Sequence, residues 1–107
     1  MKIAIIHYAE PVSRDNGFVL NRYASLGKIL TKNKFYVTRY FPSFNHRSRK
    51  FRKFNSYYDK KFGHHIKVET PGYVNSIGLK RLLFLSVFKK NLMKELHQNK
   101  YDLFIVS

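Results

Sequence analysis

Apolar residues along this chain fall into short continuous runs alternating with helical stripes. Ile3-Ala4-Ile5-Ile6 is β-branched apart from Ala4 and predicts a strand buried on both faces. His7 to Gly17 reads as a polar loop containing Pro11 and the turn-forming triplet Asp15-Asn16-Gly17. From Phe18 the period turns helical, with Phe18, Val19, Arg22, Tyr23, Leu26, Ile29 and Leu30 on one side and Asn33 as a left-handed terminator. Phe35 to Phe41, aromatic and β-branched, predicts a second strand, ended by Pro42. Gly63-His64-His65 predicts a turn into a strand over Ile66 to Thr70. Pro71 to Ser76 is then a loop, with Ser76 as helix N-cap. Ile77 to Gln98 predicts the longest helix, with Leu79, Leu82, Leu83, Leu85, Phe88, Leu92, Met93 and Leu96 as its core stripe. Lys94, His97 and Lys100 suit its negative C-terminal end, and Tyr101 to Ser107 reads as another buried strand.

A buried strand, a loop and a helix open a parallel α/β sheet, so the expected fold is Rossmann-like, as one domain over residues 1–107. Ligands of such sheets bind beyond the carboxyl ends of the strands, which points to His7–Gly17. The single glycine of that loop, where a dinucleotide fingerprint has three, argues against a nicotinamide or flavin dinucleotide site. No cofactor is expected. With no cysteine, disulfides and cysteine-ligated zinc are excluded. Ile3–Ile6 is too short for a signal-peptide core, and Leu82 to Phe88 is too short to span a bilayer. These features predict a cytoplasmic protein.

Charge changes this picture. A formal net charge of +15 on 107 residues means attraction to polyanions, either nucleic acid or an anionic membrane face. The charge concentrates between Ser43 and Gly63, a predicted long loop. There Arg47, Arg49, Lys50, Arg52, Lys53, Lys60 and Lys61 interleave with Phe44, Phe51, Phe54, Tyr57, Tyr58 and Phe62. Rings among cations suit stacking on single-stranded nucleic acid, and they equally suit a membrane interface. They also suit a loop whose aromatics pack onto the domain. The adjacent His64 and His65 have no third ligand near them in sequence, so no metal is expected and solvated turn histidines are the simpler reading.

Taken together, the residues resemble the amino-terminal half of family 4 glycosyltransferases, and most of all bacterial enzymes of O-antigen and capsule assembly that use N-acetylated amino sugars. Ile5-Ile6-His7-Tyr8-Ala9 is similar to that family's first strand and loop. Arg22, Leu26-Gly27 and Lys32, leading to Val37-Thr38, are similar to its arginine-led helix and second strand. Ser43-Phe44-Asn45-His46 resembles its Ser-Phe-x-His segment. Thr70-Pro71, Tyr73, Gly78 and Arg81 resemble its Thr-Pro loop and helix-opening arginine, and Tyr101 to Ser107 its closing strand. Lys34 stands where the family usually has glycine.

The resemblance implies the acceptor-side half of a two-domain GT-B architecture. Its reaction moves a sugar from a nucleoside diphosphate to a polyprenyl-diphosphate-linked glycan acceptor in surface polysaccharide synthesis. His7, Tyr8, Asn16 and Gly17 would line the cleft, with Arg22 steadying the loop. Arg47, Arg49, Lys50, Arg52 and Lys53 would meet the anionic inner membrane face, where the protein would be peripheral. The nucleotide-sugar donor would be held by a second, carboxy-terminal Rossmann-like domain whose motifs this chain does not carry. The chain alone is therefore expected to be a truncated, inactive half. A small nucleic-acid-binding protein using Arg47 to Lys61 is the alternative.

Overall fold

Ile3 to Ile6 lie in the middle of a sheet, as an apolar run without alternation requires, because both of their faces and both of their edges are covered. The chain's computed structural model describes residues 1–73 and 78–106. In order, its elements are β1 (Lys2–Ile6), α1 (Arg22–Lys32), β2 (Tyr36–Pro42), β3 (Phe44–Asn45), β4 (Lys50–Phe51), β5 (Tyr57–Asp59), β6 (Gly63–Val68), α2 (Leu79–Gln98) and β7 (Leu103–Val106). Four parallel strands run in the spatial order β6-β2-β1-β7, with β5 antiparallel on the β6 edge. The fold is α/β with a mixed sheet, and its parallel part has the strand order of a Rossmann half.

The two helices cover opposite faces. Ala4, Ile6, Tyr40 and Val68 meet Phe88 and Leu92 of α2, while Ile5 and Val37 meet Tyr23 of α1. Gly27 keeps α1 close to the chain that enters β6: a Cβ there would lie 3.3 Å from the Phe62 carbonyl. Gly63 is required more strictly. Its φ of +94° is left-handed, and a Cβ would come within 2.7 Å of the Val37 carbonyl oxygen.

Several elements differ from expectation for identifiable reasons. α1 begins at Arg22, not Phe18, because Asn21 is the N-cap: its Oδ1 accepts from the Ala24 N–H at 2.9 Å. Val19 and Leu20 are consequently outside the helix and exposed. Asn33 keeps an ordinary φ, and Lys34 takes the left-handed conformation at +66°. The Ser43–Gly63 stretch is not a loop, since it folds into the β3–β4 hairpin and edge strand β5. His64 and His65 belong to β6 and are not turn residues. His64 stacks on Tyr36, and His65 is buried against Tyr57 with rings 4.5 Å apart. On α2 the buried residues are Phe84, Phe88 and Leu92, whereas Leu79, Leu82, Leu83 and Met93 face outward. β7 is the edge strand on the β1 side and is half exposed instead of buried. The expected N-cap Ser76, helix start Ile77 and strand end Ser107 lie outside the described residues.

Two expectations follow for stability. Burial pushes the His65 imidazole down from 6.5 to about 4, against the raising effect of its bond to the Gly63 carbonyl. The unfolded chain therefore binds a proton that the folded chain refuses as pH falls through that window. Stability supplied by neutral His65 is complete above about 6.5 and is lost toward 4, by about 3 kcal/mol in all. Urea midpoints between neutral and acid pH should show this slope, and His65→Gln should flatten it. Separately, Lys34→Gly should raise stability by about 1 kcal/mol, since glycine adopts φ near +66° without the Cβ conflict. Thermal unfolding checks that change.

Candidate functional site

The β1–α1 loop lies at the carboxyl ends of the parallel strands, and two internal arginines hold it there. Arg52, carried in by the β3–β4 hairpin, makes a bidentate pair with Asp15: Nε donates to Oδ1 and Nη2 to Oδ2, both at 2.9 Å. The two side chains are only 1% and 4% exposed. Arg52 Nη1 also donates to the Pro42 carbonyl at 2.7 Å, which ties loop and hairpin to the end of β2. Arg39, buried in β2, donates to the carbonyls of Glu10 (2.9 Å) and Pro11 (3.2 Å). Burial first and Arg52 second push the Arg39 pKa down to about 10, so its guanidinium remains charged at neutral pH.

The loop organises itself around the same points. Asp15 Oδ2 accepts from the Val12 N–H, and Val12 is buried against Phe41 and Tyr57. Asn21 Nδ2 donates to the Pro11 carbonyl while its oxygen caps α1. Ser13 and Tyr57 share a hydrogen bond at 2.9 Å, and Arg14 lies over the Tyr57 ring. The loop is therefore a rigid wall set before any ligand arrives.

The expected cleft residues divide between two places. Asn16 and Gly17 line a cleft of about 270 Å³ together with Glu10, Asn45 and Arg47, and Arg47 pairs with Glu10 at 3.2 Å. His7 and Tyr8 are not in its lining. They join an aromatic and cationic cluster: His7 stacks on Tyr23 with centroids 4.4 Å apart, and Arg22 lies over that same Tyr23 ring. Tyr8 is edge-on to His46 and accepts a hydrogen bond from Arg81 Nη2 at 2.8 Å. His46 Nδ1 is hydrogen-bonded to the Tyr73 hydroxyl, and Arg49 lies over the Tyr73 ring.

Burial lowers the pKa of both histidines. For His7 the cations Arg39 and Arg22 lower it further against Glu10, and for His46 the cations are Arg49, Arg81 and Arg47. His46, Tyr73 and Arg81 carried no site role in the sequence reading. Their signal was present as two separated segments, Ser43–His46 and Thr70–Tyr73, that come together here. Thr70 N–H donates to Ser43 Oγ at 2.8 Å, and the Phe44 and Tyr73 rings lie 5.0 Å apart.

Of the expected polyanion contacts, Arg47, Lys50 and Lys53 are exposed and Arg49 is half-buried. Arg52 is not a surface contact, because its guanidinium is consumed inside by Asp15. The aromatic strip is likewise divided: Phe44 and Tyr57 are buried, Phe54 packs on Phe41, and Phe51 and Tyr58 remain outside. Among the described residues, no helix is long and apolar enough to cross a membrane. No family model matches the chain, and no curated protein matches it either.

The Arg52–Asp15 pair should dominate the stability of this wall. Arg52→Ala leaves a buried carboxylate uncompensated and should cost about 3–5 kcal/mol in urea unfolding. Arg52→Lys should recover little of it, since an ammonium cannot span both oxygens.

Proposed function

We propose that this chain is the acceptor-side part of a sugar transferase of two Rossmann-like domains. The reaction moves a sugar from a nucleoside diphosphate to a polyprenyl-diphosphate-linked glycan at an anionic membrane face. One observation carries the reading: four parallel strands in Rossmann order, with a pre-organised loop at their carboxyl ends, where α/β sheets bind ligands. The packing of Ser43–His46 against Thr70–Tyr73 supports it, because both segments carry the likeness to family 4 glycosyltransferases. In this reading the nucleotide-sugar belongs to the other domain, so this chain alone transfers no sugar.

The membrane part rests on α2. Leu79, Leu82 and Leu83 are 84%, 62% and 55% exposed on its first turns, and Lys80, Lys89 and Lys90 are exposed on the same helix. Leucines that enter the headgroup boundary beside lysines that meet anionic lipid give a peripheral, reversible attachment. Exposed Arg47, Lys50 and Lys53 add about 1 kcal/mol each before screening.

Co-sedimentation with vesicles containing anionic lipid, in competition with single-stranded oligonucleotide, tests this. The vesicles should win, and the double change Leu82→Ser, Leu83→Ser should reduce partitioning by about tenfold or more, as loss of partly buried leucines predicts. The nucleic-acid reading takes over if oligonucleotide wins and exposed Phe51→Ala weakens it by a stacking energy of about 1–3 kcal/mol.

A further inference from the structure

The cluster at the carboxyl end of β1 is more cationic than its own acids can balance. Arg81 bonds the Tyr8 hydroxyl, and among the described residues neither Arg81 nor Arg22 pairs with a carboxylate. Glu10, the acid that acts on His7, is already paired with Arg47. Two nitrogens in the cluster, Nδ1 of His7 and Nε of Arg81, are buried without a hydrogen-bond partner among the described residues. Buried donors of this kind are costly unless a ligand or water answers them.

We propose that His7, Tyr8, His46, Tyr73 and Arg81 form a binding site for a phosphate or diphosphate group. The residues come from three separate segments: His7 and Tyr8 follow β1, His46 follows β3, and Tyr73 and Arg81 flank the start of α2. They nevertheless share contacts, through Arg81 to Tyr8, His46 to Tyr73 and the Tyr8 and His46 rings. A guanidinium, two imidazoles and two phenol hydroxyls joined by these contacts offer donors in several directions, which suits a tetrahedral anion with many acceptor oxygens better than a planar carboxylate. Burial first and the surrounding cations second lower the pKa of both histidines: Arg39 and Arg22 act on His7, with Glu10 opposing, and Arg49, Arg81 and Arg47 act on His46. An anion among them opposes the cations' share of that effect.

The site deepens the transferase reading, in which the diphosphate belongs to a polyprenyl-linked acceptor, but its test stands apart from that reading. Inorganic pyrophosphate is titrated into the chain by calorimetry at low ionic strength and neutral pH. Binding at one site should weaken by about tenfold or more in Arg81→Gln, the loss expected for a charge-assisted hydrogen bond. Lys94→Gln, the same charge change at an exposed position on α2, should leave it within about twofold, as expected for a distant screened charge. On the unmodified chain, histidine ring NMR should show pyrophosphate raising the pKa of His7 and His46. Equal weakening by Arg81→Gln and Lys94→Gln, or no movement of His7 and His46, overturns the site. Farnesyl diphosphate and uridine diphosphate then identify the bearer. If uridine diphosphate displaces pyrophosphate more strongly, the anion site stands and the acceptor-side reading falls.

Discussion

The bidentate contact between Arg52 and Asp15 is the constraint on which the ligand-facing end of this molecule depends. It joins a loop that follows the first strand to a hairpin that follows the second, across 37 residues of sequence. Neither segment has a core of its own. The loop buries Val12 and the hairpin buries Phe44, while their other large apolar residues, Tyr8 and Phe51, are half-buried and exposed. An ion pair so fully enclosed offers little net stability over an apolar substitute, but it enforces one arrangement, because any other leaves a charge buried and unanswered. Arg39 extends the same logic by donating to two loop carbonyls, that of Glu10 and that of Pro11, which Asn21 also reaches. Directional polar contacts thus take over where hydrophobic packing stops.

The net positive charge reads differently once these contacts are known. Composition alone places every cation on a surface that meets polyanions. In the folded chain, Arg39 and Arg52 are structural, and Arg22, Arg49 and Arg81 lie against tyrosines at the strand ends. What remains outside is mostly lysine, spread over α1, α2, the tip of the hairpin and the turn between β5 and β6. Structural cations, site cations and surface cations are three populations that a formal charge sums without distinction.

Legibility followed the range of the interaction. β1 and the body of α2 could be read because periodicity and apolar runs are local properties, and the parallel α/β class followed from their alternation. The outward turn of Leu79, Leu82 and Leu83 could not, since a helix carrying leucines on several sides does not declare which side meets the sheet. Segment 43–63 was misread because each of its strands is only two or three residues long, too short to show a period. The candidate site shows both cases. His7 and Tyr8 were visible from their position after a strand, while His46, Tyr73 and Arg81 joined them only through tertiary contacts.

The position of β1 has a consequence for how the chain assembles in time. Made before both of its partners, it can pair with β2 once residue 40 has emerged, but its other edge waits for Leu103 to Val106. Asp102 then fastens that late strand by accepting from the Lys2 N–H at 2.7 Å and donating its own N–H back to the Lys2 carbonyl at 2.8 Å. Until then the most apolar strand of the protein presents an unpaired edge in a topology whose contacts are long-range and slow to form. During synthesis this interval is the molecule's greatest exposure to misassociation with other chains, and it ends only with the seventh strand.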